Sequence, residues 1–213
     1  MSAMNPYRTL RRSASDEFII NKSRFIGYAA PCETEAEALA FLQSIRTKHK
    51  DATHNCYAYI IGKNAGIMRY SDDGEPGGTA GMPIIEVMKA RGVVNCAVVV
   101  TRYFGGILLG TGGLVRVYTQ GAQVAVAAAG VQRMSLYTVA LIACPYNLYD
   151  IVTHLLPEYD CAVEETDYGA DVTLTVTLPA GGEDRLNAGL AEATAGTVYA
   201  EVMETKFMGR RVK

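Results

Sequence analysis

The stretch VVNCAVVVTRYFGGILLGTGGLVRVY, Val93 to Tyr118, changes character twice. It opens as a valine-rich run, passes through five glycines between Gly105 and Gly113, and closes on an apolar helical pattern. The continuous apolar run predicts a central strand covered on both faces. The pattern after the glycines predicts a helix from about Leu114 to Ala129, closed by Gly130. A strand, a glycine turn and a helix start present unpaired backbone N–H groups and the positive end of the helix dipole. Glycines also let an anion approach the backbone closely. The expected anion or nucleic-acid site is therefore Gly105, Gly106, Gly110, Gly112 and Gly113, flanked by Arg102, Tyr103 and Arg116. Packing is the competing reading: the same glycines would serve a tight turn and a close helix–sheet approach. The segment is not a Walker A loop, because no Gly-Lys-Ser/Thr follows. It is not a dinucleotide fingerprint, because Val115 stands at the third glycine position.

Working backward from that strand, HNCYAYIIG and AGIMRYS predict two strands separated by Gly62-Lys63-Asn64. If both flank the central strand, His54, Arg69 and Tyr70 join the anion site. Tyr57 and Tyr59 share a strand face, as a base-stacking pair or as core with a wet hydroxyl. SDDGEPGGTAG predicts a loop of turns. Its Asp72, Asp73 and Glu75 are candidate Mg²⁺ ligands, without the spacing of a calcium loop. MPIIEVMKARG predicts a helix stopped by Gly92, with Thr79 as a candidate cap. ETEAEALAFLQSIRTKHK predicts a helix opened by a Thr34/Glu37 capping box, with Ala38, Phe41, Leu42 and Ile45 on its apolar face. EFIINKSRFIGYAA predicts two strands around Asn21-Lys22. The first fifteen residues, basic and without a signal-like apolar core, predict a frayed arm.

Beyond Gly130 the pattern changes. DVTLTVTL alternates strictly, placing Val172, Leu174, Val176 and Leu178 on one face and threonines on the other. Around it the predicted order is strand 136–143, helix 146–157, strands 160–167 and 171–178, helix 183–194 and strand 197–203. This is the βαββαβ order of a ferredoxin-like unit. The predicted domains are thus 1–134 and 135–213, and the fold class is α+β. Their charges are opposite: 15 basic against 10 acidic residues in the first, 5 against 12 in the second. The first is suited to an anion. No apolar run is long enough to span a bilayer. Five scattered cysteines include no CxxC pair, so neither a zinc knuckle nor a redox motif is indicated. These features predict a cytoplasmic protein with no membrane partner. No GxSxG and no serine–histidine–acid pattern is visible.

Three stretches together, ATHNCYAYIIG (52–62), SDDGEPGGTAGMPI (71–84) and VVVTRYFGGILLGTGGLVRVY (98–118), resemble the YigZ/IMPACT family of cytosolic proteins. Val117 departs from the family's usual alanine. The resemblance implies a ribosomal-protein-S5 domain-2-like fold for the first domain and a ferredoxin-like fold for the second. Both are similar to the last two domains of the translocating elongation factor. Eukaryotic relatives regulate translation by binding an activator of an initiation-factor kinase, through an extra domain. For this chain the resemblance implies a non-enzymatic protein that binds RNA or the ribosome and modulates translation, needing no cofactor. The alternatives are a Mg²⁺-dependent enzyme acting on a small phosphorylated compound, and a regulator with a protein partner.

Overall fold

The computed structural model describes residues 5–211. The chain divides into two compact units, residues 7–133 with 209–211, and residues 134–208 with 5–6.

The larger unit is built on an antiparallel sheet of β2 (Ala14–Ile20), β3 (Ser23–Pro31), β6 (Cys96–Tyr103), β4 (His54–Ile61) and β5 (Ile67–Ser71), in that spatial order. The central position of β6 explains its unbroken apolar run. Val98 and Val100 face one core with α2 (Gly81–Arg91) and α3 (Gly110–Ala129). Ala97 and Val99 face the other side, where α1 (Glu35–Lys48) lays down Ala38, Leu42 and Ile45. Tyr59 and Tyr57 belong to that α1 face, stacked at 6.1 Å, and the Tyr59 hydroxyl donates to Glu35 at 2.7 Å. Their rings are core.

The helix caps form as their residues dictate. The Glu37 amide donates to Thr34 Oγ1, and Gly92 ends α2 in the left-handed region with φ 63°. Thr79 is not the cap of α2: its hydroxyl donates to the Pro76 carbonyl. Asp72 takes that role from a distance, its Oδ1 accepting the Ala80 and Gly81 amides at 3.0 and 2.8 Å.

Three expectations need correction. The basic N-terminal segment is not a frayed arm. Tyr7–Leu10 forms strand β1, Leu10 is fully buried, and Thr9 Oγ1 donates to the Asn95 carbonyl; residues 1–4 lie outside the described part. Helix α3 begins at Gly110, so the last three glycines of the loop are its first turn. Finally, β5 is an edge strand beside β4 and not beside β6, where β3 lies instead.

The smaller unit runs β7 (Val131–Cys144), α4 (Tyr149–Leu155), β8 (Ala162–Tyr168), β9 (Val172–Pro179), α5 (Glu183–Ala193) and β10 (Ala200–Arg211). Among these strands β10 pairs β7, β7 pairs β9 and β9 pairs β8, the ferredoxin-like arrangement. Val172, Leu174, Val176 and Leu178 are buried as their alternation requires. Thr177 is buried too, its hydroxyl donating to Glu164. The chain passes between the units inside β7.

A candidate anion site at the start of helix α3

The site grows from the register of β6 with its neighbours. Arg102 lies opposite Phe25 of β3 and His54 of β4. It follows Val98 and Val100 on the α2/α3 face, so its guanidinium enters the core and is only 5% exposed. A charge there needs a partner. Glu75, from the loop before α2, supplies it: Arg102 Nη1 donates to Glu75 Oε1 at 2.6 Å. Tyr118, from the third turn of α3, donates to the same oxygen at 2.7 Å. His54 Nε2 lies 3.9 Å from it. Burial, with Cys56 and Glu75 beside it, pushes the Tyr118 hydroxyl well above its ordinary pKa, so it acts as a donor. Phe25 and Phe104 flank the guanidinium at 5.5 and 5.3 Å. Arg102 Nε has no hydrogen-bond partner among the described residues.

The other two carboxylates turn elsewhere. Asp72 Oδ2 accepts the Gly78 amide while Oδ1 caps α2. Asp73 accepts the Asn55 amide at 2.7 Å and pairs with Arg46 at 3.0 Å. Asp72, Asp73 and Glu75 therefore do not converge. No cluster of three His, Cys, Asp or Glu fit to hold a metal occurs among the described residues. The acidic loop is folded by its acids: the Asp73 carbonyl also fixes His54 through Nδ1 at 2.8 Å. Since a carbonyl only accepts, Nδ1 carries the proton, and Nε2 of the neutral ring keeps its lone pair.

The glycines divide between packing and exposure. At Gly105 a Cβ would fall 2.1 Å from the Lys22 carbonyl carbon, and the Gly105 amide donates to Ser23 Oγ. That position is packing. Gly106, Gly110 and Gly112 are exposed, with nothing within 4 Å of an added Cβ. Gly113 is half-buried. The first amides of a helix have no acceptor within it. In α3 no side chain caps them and no acidic residue sits in the first turn. Arg116 is exposed on α3, and Lys22 is exposed at the β2–β3 turn that abuts Gly105. Neither forms an ion pair among the described residues. Tyr103 is half-buried, its hydroxyl 2.8 Å from His49 Nδ1. Arg69 sits opposite Tyr59 on the outer strand, away from Arg102. The structure thus joins His54, Glu75 and Arg102 beneath the first turn of α3, and leaves Arg69 outside. Tyr118, Phe104 and Lys22 belong to the site without having been singled out by motif. Tyr118 carries no local signal, because only the fold brings it to Glu75.

A cavity of about 380 Å³ opens over this cluster. His54, Glu75 and Arg102 form its polar side, with Gly110 and Thr111 of α3 also lining it. Phe104, Leu108, Leu109 and Leu114 line the rest.

The Impact N-terminal domain matches residues 21–126, which carry this whole site. A bacterial relative from Bacillus subtilis, IMPACT family member YvyE, is 36% identical over 209 residues, covering 98% of this chain and 96% of its own length. This chain belongs to the IMPACT family. IMPACT family member YigZ of Escherichia coli is 38% identical over 187 residues, covering 87% and 92% of the two chains. Human Protein IMPACT shares 36% identity over 94 residues, 42% of this chain and 29% of its own. Within the smaller unit, residues 142–197 match a domain of unknown function, DUF1949. A crystal structure of a hypothetical protein superposes with a TM-score of 0.61 at 36% identity, covering 94% of this chain and 98% of the other. The α+β class, with an S5 domain-2-like and a ferredoxin-like part, stands. No helix among the described residues is long and apolar enough to cross a membrane.

Proposed function

We propose that this IMPACT family member is a non-enzymatic, cytoplasmic RNA-binding module acting in translation, and that RNA phosphate sits on the first turn of α3. The observation that carries this reading is the open start of α3: Gly110 and Gly112 are exposed, and no side chain or acid caps the turn. Lys22 and Arg116 are the cations that clasp a phosphate there. Arg102 supports the site from beneath. The family resemblance supports translation as the setting.

Fluorescence anisotropy of a labelled single-stranded RNA against salt concentration tests it. Six neutralised phosphates give a log–log slope of about −4. The double variant Lys22→Ala/Arg116→Ala, changed only at the surface, flattens that slope by about 1 to 1.5 and weakens binding at low salt. Unchanged binding and slope in the double variant would remove the assignment. A partner pulled down through nuclease and high salt, with no RNA binding, would favour a protein-binding regulator instead.

A further inference from the structure

The start of α3 does not end in open solvent on its inner side. It lines the cavity whose polar side is His54, Glu75 and Arg102, with Tyr118 bonded to Glu75 behind them. Three features of that cavity restrict what fits. The first is the anion site: first-turn amides without a capping side chain. The second is an apolar wall of Phe104, Leu108, Leu109 and Leu114; Leu108 is 85% exposed, although it lines a pocket. The third is an imbalance of hydrogen-bonding groups. Arg102 and Tyr118 both donate to one oxygen of Glu75, Oε1, and His54 Nε2 stands 3.9 Å from it. Glu75 Oε2 receives neither of them, and with Nδ1 donating to the Asp73 carbonyl the neutral form of the His54 ring presents a lone pair at Nε2. Arg102, 95% buried by its 5% exposure, lines the same space with its Nε unpartnered. A buried polar cluster with unmet groups beside a cavity is poised for a ligand.

The matching ligand carries both a hydrogen-bond donor, for Glu75 Oε2, and an acceptor, for Arg102 Nε, at one end, an apolar body and an anion at the other. We infer that the cavity binds a nucleoside monophosphate unit. The phosphate rests on the amides of Gly110 to Gly112, the base faces lie against Phe104 and Leu108, a base-edge N–H donates to Glu75 Oε2, and a base carbonyl or ring nitrogen accepts from Arg102 Nε. A volume of about 380 Å³ lies within the range of pockets for small ligands. Two sources present this chemistry, a free mononucleotide and the phosphorylated end of an RNA strand. The inference rests on the α3 anion site of the RNA reading and extends it inward.

Calorimetric titration of the full chain with AMP, GMP, CMP and UMP, their nucleosides and inorganic phosphate tests it. At least one monophosphate should bind one-to-one, ten-fold or more tighter than its nucleoside and than inorganic phosphate. Two variants at exposed positions, Leu108→Glu and Thr111→Asp, should weaken that binding at least ten-fold with the thermal midpoint retained. Competition then separates the sources. Displacement by 5′-phosphorylated RNA, but not by 5′-hydroxyl RNA of the same sequence, assigns the RNA end; displacement by neither assigns a free compound. Monophosphates that bind no better than inorganic phosphate, or binding unaffected by both variants, would overturn the inference. If salt-dependent RNA binding persists in that case, the RNA reading survives alone. If mononucleotides bind and RNA does not, the cavity assignment survives and the RNA reading goes.

Discussion

Arg102 and Glu75 stand 27 positions apart and meet at 2.6 Å inside the core. Read as a sequence, Arg102 is a cation beside a glycine loop and Glu75 an acid in a turn-rich loop. Neither pattern says that strand pairing turns the arginine inward, because periodicity gives a face and not the neighbour waiting on it. The fold assigns them to each other, with Tyr118 as a third member. Removing one partner leaves an uncompensated buried charge. Arg102→Ala should therefore lower stability by about 3–5 kcal/mol. Denaturant unfolding of this variant beside Arg116→Ala checks the point, since the exposed Arg116 should change stability by less than about 0.5 kcal/mol. Equal, small effects at both positions would contradict the burial of the pair. The glycines show the same division. Gly105 is held to glycine by the Lys22 backbone, whereas Gly112 faces open space. A run of one residue type in the sequence hides two different physical demands.

At the scale of elements, most of the larger unit was legible. The Thr34 cap of α1, the Gly92 stop of α2, the Asn21-Lys22 turn and the buried β6 all follow from local chemistry; the reciprocal half of the capping box does not form, since Glu37 Oε2 accepts the Glu33 amide in place of the Thr34 one. The start of α3 was less so. Glycine is a poor helix former by about 1 kcal/mol, so a first turn of Gly-Thr-Gly-Gly reads as loop. Tertiary packing carries the helix through it, since α3 lies against β3 and β6 through two further glycines. A Cβ on Gly27 would fall 2.2 Å from the Gly121 carbonyl oxygen, and one on Gly121 would fall 2.7 Å from Val100 Cγ1. Gly27→Ala should thus force α3 outward, at a cost of about 1–3 kcal/mol in unfolding measurements. Gly112→Ala, with free space around it, should be neutral or mildly stabilising. A destabilisation at Gly112 matching that at Gly27 would contradict this packing. The strand order was the other gap. A strand pattern does not state its partners, and placing β5 beside β6 put Arg69 in a site it does not reach.

For the molecule as a whole, the charge division follows the units. Residues 7–133 and 209–211 hold 17 basic against 10 acidic residues, and residues 134–208 hold 2 against 12. The unit that carries the open α3 start is the basic one, and an anionic polymer is drawn to it by its field as well as by its contacts. The alternating β9 made the ferredoxin-like unit readable from sequence. What the smaller unit does was not readable, because its pattern specifies packing and no chemistry. The central claim concerns four backbone amides, and amide chemical shifts report on them directly. In a ¹⁵N–¹H spectrum of the full chain titrated with single-stranded RNA, the signals of Gly110, Thr111, Gly112 and Gly113 should shift most, together with those around Lys22 and Arg116. If RNA binds while those four signals stay still and a different surface moves, the assignment of the anion site to α3 is wrong.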